Sequence, residues 1–373
     1  MPDEAAAAWG ALSSLTSLEV DTMLSLAPAV KQLPNLVELS AADFTMSRGT
    51  ISSMISALPQ LQVLRYLAFK PCSGRYSNEY LNGFSSTKLQ QVDGMSLDPA
   101  NLSHPLAISK CYPTMRIVIS SRNRAGDIAD WVQRGGGKQV TKLLICSDEH
   151  RLMGRPSISH WPGIPALRNL ELYHLDLSPG LQQLRGLTQL THLQLDNCSP
   201  DLHSLDQLPP GLCSLSLDNL RGDAALQEQH QQAVPQLPHL TKLVIKGDRA
   251  VTSSGRVVTA LLNLQQLTLD PNEEFSPGST LATLSHLTSL SSLIIPYLGR
   301  GNKLLEGVNV LAMIPCLQQV EVTRQYFNPL LGLEIAAKLG NHTAIKLDMR
   351  DCRSWGISIN YGGMLQVSFM KAC

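Results

Sequence analysis

Two histidines stand where acid–base or metal chemistry could be assembled. His174 and His192 fall on the exposed side of neighbouring strands, near Glu171 and Asp196. A His–carboxylate pair can move a proton, and three or four such groups converging on one point can hold a metal ion. Only these few ligands can be placed together, so the expectation is a polar binding surface and no metal. Cys198 and His203 lie five residues apart, but on a turn. Cys198 occupies a place suited to a small buried residue, so packing is expected there and not nucleophilic catalysis. GxSxG, HExxH and HRD do not occur. GRGNK, Gly299–Lys303, is too short for a phosphate loop, and Gly135–Gly137 precedes a strand where an anion nest would open a helix. The expected chain has no catalytic residue, no metal and no cofactor.

The elements that carry these residues follow from a repeat. Leu167 begins LRNLELYHLDL, Leu190 begins LTHLQLDNCSPDL and Leu212 begins LCSLSLDNL. Each reads L-x-x-L-x-L. The frame returns at Leu240 (LTKLVIKGD), Leu264 (LQQLTLDPN), Leu290 (LSSLIIPYL) and Leu317 (LQQVEVTRQ). Weaker copies begin at Leu15, Leu36, Leu61, Leu89, Thr114, Val140 and Ala344. From Leu15 to Ala344 is 329 residues over thirteen steps, about 25 per step. A single LxxLxL means little in a chain rich in leucine, whereas fourteen copies at near-constant spacing define the architecture.

The fourth and sixth positions are two apart, so on a strand they point the same way. Leu170 with Leu172, Leu193 with Leu195, Leu215 with Leu217 and Leu267 with Leu269 are inward pairs of this kind. One coil cannot bury its own leucines, so coils must stack and align their strands in a parallel sheet. The returns differ in character. GDIADWVQRGGG (126–137), SSGRVVTALLN (253–263) and NVLAMIP (309–315) read as helical, whereas LDQLPPG (205–211) is too short and too rich in proline. Proline recurs just before the frame, in LPNL, LPQL, IPAL, LPHL and IPCL, as a turn feeding the next strand would need.

With this frame and period the chain resembles the leucine-rich repeat superfamily, of an intracellular type with degenerate repeats, over almost its whole length. The resemblance implies an α/β solenoid, a horseshoe with a parallel concave sheet and an irregular convex side of helices and loops. It departs from the family at the ninth position, which usually carries Asn. Here that position holds Phe44, Phe69, Leu175, Cys198 or Leu220, with Asn272 a rare match. Residues 1–14 are expected to form an N-terminal cap, residues 15–355 about fourteen coils, and residues 356–373 a C-terminal cap. GISINYGGMLQVSFM alternates about Gly362–Gly363 as a β-hairpin does.

Composition narrows the function. Hydrophobic residues make up 43% and charged residues 16% of 373, so the chain is not disordered; aromatics are 5%, so the core is aliphatic. Lys plus Arg equals Asp plus Glu at 30 each, and the chain lacks the basic excess of a nucleic-acid binder. The eight cysteines (72, 111, 146, 198, 213, 316, 352 and 373) form no CxxC and no end clusters, as expected of free thiols in a reducing compartment. MPDEAAAAWGALSSL is a poor secretory signal, and no run of 18 apolar residues offers a membrane span. A cytoplasmic location is expected. Sequons at Asn101, Asn197 and Asn341 are read as chance matches.

The third, fifth, seventh and eighth residues of each frame point away from the core, onto the concave sheet. They nominate Glu171, Tyr173, His174, His192, Asp196, Asp218, Lys242, Lys246, Asp270, Tyr297, Arg324 and Arg350 as partner-binding residues. Glu171, Asp196 and Asp218 make an acidic centre beside Tyr173, which suits a basic or amphipathic protein segment. The expected function is a non-catalytic, monomeric protein–protein interaction scaffold. Two other functions are carried by family analogy alone: a substrate-recognition subunit of a ubiquitin ligase, for which only fourteen residues precede Leu15 and leave no room for an F-box, and a component of the cytoskeleton or ciliary axoneme. A surface receptor would need a signal, cysteine caps or an anchor. An enzyme would show turnover lost on changing His174 or His192.

Overall fold

In the computed structural model the chain divides into two compact units, Met1–Gln189 and Leu190–Cys373. The structure describes residues 12–22, 30–43, 57–66, 89–93, 95–97, 113–119, 126–134, 137–147, 158, 163–177, 181–198, 208–219, 237–247, 261–270, 284–295, 309–322, 344–347, 356–361 and 365–370.

Each of the fourteen frames is a strand. In the first unit, β1 (Ser17–Thr22), β2 (Glu38–Asp43), β3 (Val63–Tyr66) and β4 (Gln91–Asp93) pair in parallel, in chain order. A second parallel run joins β5 (Met95–Leu97), β6 (Thr114–Ile119), β7 (Lys142–Ser147) and β8 (Asn169–Tyr173). The frame at Leu89 therefore gives two strands. β4 aligns Val92 with Leu64, while β5 aligns Met95 with Met115. The sequence supplies a reason: the sixth position of this frame is Gly94, a residue that weakens a strand and brings no side chain to the core.

In the second unit β9 (His192–Asp196), β10 (Ser214–Asp218), β11 (Lys242–Lys246), β12 (Gln266–Asp270), β13 (Ser292–Ile295), β14 (Gln319–Val322) and β15 (Ala344–Leu347) run parallel in chain order. β16 (Gly356–Tyr361) then pairs antiparallel with β15, and β17 (Leu365–Met370) antiparallel with β16. Strand after strand laid parallel at a repeating leucine frame is the architecture of a parallel-strand solenoid.

Register corrects two frames. Thr114 pairs with Lys142, the third residue of its frame, so the inward pair of β6 is Met115 and Ile117 and the frame starts two residues earlier than the sequence suggests. The run MRIVI hides this because Met115, Ile117 and Ile119 are all buried. Ala344 likewise pairs with Gln319, a third-position residue.

The inward pairs form the core. None of Leu170, Leu172, Leu193, Leu195, Leu215, Leu217, Leu267 and Leu269 is more than 6% exposed. Each buried leucine contributes about 1.5–3 kcal/mol of transfer free energy. Backbone geometry repeats as strictly. Second-position carbonyls accept two N–H groups of the next coil: Thr141 O takes Arg168 N at 2.8 Å and Asn169 N at 2.9 Å. Thr191 O serves Cys213 and Ser214 in the same way, and Cys213 O serves Thr241 and Lys242. Hydroxyls at this position add a further donor, as Thr141 Oγ1 does to Pro113 O at 3.0 Å and Ser291 Oγ to Gln265 O at 3.1 Å.

The recurrent prolines have a role. In these frames the N–H of the first-position leucine donates to the carbonyl three residues back: Leu36 to Leu33, Leu61 to Leu58, Leu167 to Ile164, Leu240 to Leu237, Leu317 to Ile314. Pro34, Pro59, Pro165, Pro238 and Pro315 are the second residues of these turns, where a fixed φ near −65° fits.

Helix is sparse. α1 (Gly126–Gln133) buries Ile128 and Trp131 on one face. Gly137 follows with φ +77°, and a Cβ there would sit 3.1 Å from Trp131 Cη2. Residues 309–312 are helical and Leu181–Gly186 is a 3-10 helix. Of the third expected helix only residues 261–263 are described, and they open a turn. The other described return residues are mostly turns, with Val30 and Leu284 helical. Among the described residues no helix is long and apolar enough to cross a membrane. Cys146, Cys198, Cys213 and Cys316 are free thiols.

Candidate binding face

Strand alternation sets the outward rows. On β8 to β12 the burial pattern alternates, with the fourth and sixth positions buried and the third, fifth and seventh reaching solvent.

In the first unit Glu171 sits between two partners. Lys142 Nζ lies 2.8 Å from its Oε1, and the Tyr173 hydroxyl donates to Oε2 at 3.1 Å. The acidic residue expected to lead the binding centre is thus held by its own fold. Arg65 and Glu38 make a similar pair on β2 and β3. His174 is half-buried at the end of β8 with φ +58°.

In the second unit the register places Asp196, Asp218, Lys246 and Asp270 side by side on β9 to β12. Lys246 Nζ is 3.2 Å from Asp218 Oδ2. Four residues back along the strands run His192, Ser214, Lys242 and Gln266. His192 is exposed, its Nδ1 2.8 Å from Thr191 Oγ1. Between these rows lie Gln194, Ser216, Val244, Thr268 and Ile294. Val244 and Ile294 are half-buried apolar residues in an otherwise polar face. Neither is among the residues the sequence nominates, which are all polar or charged; a β-branched residue at the fifth position is the signal that points to them.

Tyr297, Arg324 and Arg350 lie outside the described residues. So does His203. His174 with Glu171, and His192 with Asp196, belong to different units. Among the described residues no three His, Cys, Asp or Glu side chains gather as a metal site would need. Cys198 is fully buried and its thiol donates to Asp196 O at 3.4 Å, a packing and turn-closing role.

The eighth position behaves as a unit. His174, Asn197, Asn219 and Gly247 have φ of +58°, +49°, +46° and +95° in successive frames. Asn and Gly are the residues that reach this left-handed region at least cost. Their N–H groups extend the ladder by one step: Asn197 N donates to Asp218 O at 2.8 Å, Asn219 N to Lys246 O at 3.1 Å and Gly247 N to Asp270 O at 2.9 Å. The carbonyls of the charged row are thereby tied, coil to coil, at the point where their side chains emerge.

No protein-family model matches the sequence. None of the curated proteins matches it either. Among solved structures the chain aligns with an internalin from Listeria monocytogenes at 15% identity, over 92% of this chain and 89% of that one, with a TM-score of 0.42. A leucine-rich repeat protein from Leptospira interrogans aligns at 17% identity, over 90% and 91%, with a TM-score of 0.41. TLR13 in complex with ssRNA13 aligns at 13%, over 91% of this chain and 58% of that one, with a TM-score of 0.42.

Proposed function

We propose that this leucine-rich repeat solenoid is a protein-binding module, and that its second unit presents the sheet face of β9 to β13 to a partner segment bearing basic residues. The observation that carries this reading is the in-register row Asp196, Asp218, Lys246 and Asp270: three carboxylates and one ammonium, a net of −2 on one line. The backbone of β10 to β13 is hydrogen-bonded to neighbours on either side, so recognition on this face falls to side chains. A net acidic line steers a basic segment and sets its register more than it adds raw affinity. Glu171, already held by Lys142 and Tyr173, contributes less than its sequence position suggested. The reading needs neither catalysis nor a cofactor.

The test is a photo-activated cross-linker placed at Ser216 on the face and, as a control, at Pro315 in an exposed turn. Protein adducts that form from Ser216, fail from Pro315 and vanish with Asp196→Lys plus Asp218→Asn support the face, provided circular dichroism shows the variant folded. Identical adducts from both positions would place binding elsewhere.

A further inference from the structure

We infer that the occupant of this face is an amphipathic α-helix with basic residues on one flank, lying along the row Val244, Thr268 and Ile294. The inference rests on the proposed binding face and adds what binds there.

Three physical arguments lead to a helix. Val244, Thr268 and Ile294 are register partners on consecutive strands, all half-buried, so they form a narrow, mainly apolar strip across the strands. Strands lie about 4.8 Å apart, which puts Val244 and Ile294 roughly 9.6 Å apart. Two residues one heptad apart on a helix are separated by about 10.5 Å, so successive anchors on one helix stripe match the strip. The second argument is backbone satisfaction. β11, β12 and β13 are paired with strands on both sides. An extended segment laid on such a face would find no main-chain partners, whereas a helix brings its own hydrogen bonds.

The third argument is the asymmetry of charge. On one side of the strip stand Asp218, Lys246 and Asp270; on the other stand Lys242, Gln266 and Ser292. One side is therefore net acidic and the other carries a single ammonium. A helix with lysine or arginine on one flank and uncharged residues on the other fits in one orientation about its axis and clashes electrostatically in the reverse one.

The experiment uses the full chain and three synthetic peptides of about eighteen residues, long enough to form a helix. The first is built of Leu, Ala and Lys with lysine on one flank of a leucine stripe. The second has the same composition with two central prolines exchanged for alanines, and the third carries Glu for Lys. Fluorescence anisotropy is expected to show the first binding at least about tenfold tighter than the other two. Val244→Glu and Ile294→Lys, both on the surface and checked by thermal melting, are each expected to weaken it by roughly tenfold. Absence of binding by the first peptide, or affinity unchanged by both substitutions, overturns the inference. Equal binding by the proline-broken peptide, still lost with Asp196→Lys, overturns the helix and leaves the binding face standing. No peptide binding together with no specific adducts from Ser216 removes both.

Discussion

Lys142 and Glu171 form an ion pair although they do not stand opposite each other. The register partner of Lys142 is Asn169, and its ammonium leans two residues along β8 to reach Glu171 Oε1 at 2.8 Å. Glu38 and Arg65 repeat the arrangement with the charges exchanged, from a third position to a fifth position on the next strand. Long side chains on a parallel sheet reach diagonal neighbours, so a face read residue by residue from sequence overstates how many of its charges are available.

A double-mutant cycle on Lys142→Ala and Glu171→Ala should therefore give a modest coupling. Both side chains keep some contact with solvent, 37% and 21% exposed. About 0.2–1 kcal/mol is expected for a pair of this kind, shrinking as salt is raised. The check is urea denaturation of the four proteins at two ionic strengths. A coupling of zero at low salt would show that the Tyr173 hydroxyl alone holds the carboxylate.

Gly247→Ala should destabilise the second unit. Gly247 has φ +95°, and a Cβ built on it lies 3.3 Å from Asn219 Cα. A side chain there meets both backbone strain and a neighbouring main chain that cannot swing away. A loss of about 1–3 kcal/mol is expected, seen as a lower unfolding midpoint. Asn219→Gly should change stability by less than about 0.5 kcal/mol, since released strain and a freer unfolded chain oppose each other. Equal effects from the two substitutions would contradict the argument.

The strands were legible because their signal is chemical and repeated: an inward pair of aliphatics two residues apart, in all of the fourteen frames but those with Tyr66 and Gly94 at the sixth position. Misplacement came where an apolar run was longer than the frame, as in MRIVI, so that alternation alone allowed two phases and only pairing with Lys142 decided between them. Gly94, between β4 and β5, was present in the sequence as a residue that disfavours strand and went unread. The missing ninth-position asparagines were noticed, but their counterpart one residue earlier was not: Asn197, Asn219 and Gly247 do their work through φ, which no pattern of hydrophobicity reports. The charges of the face were legible as residues and not as pairs, because Lys142 and Glu171 are 29 positions apart.

Leu262→Pro should stabilise the protein. Leu262 is 61% exposed and gives little to the core. It is the second residue of the turn Leu261–Leu264, closed by Leu264 N donating to Leu261 O at 3.0 Å. In sister turns closed by the same bond, Pro34, Pro59, Pro165, Pro238 and Pro315 occupy that place. Proline there fits the folded backbone and restricts the unfolded one, and such a change is worth about 0.4–1 kcal/mol. The converse substitution, Pro238→Ala, should cost a similar amount. Thermal unfolding of the two variants beside the parent decides: opposite shifts of comparable size support the turn assignment. A fall in both would mean that the Leu261–Leu264 turn differs from its sisters at the second residue, by a φ or an N–H contact that proline cannot reproduce.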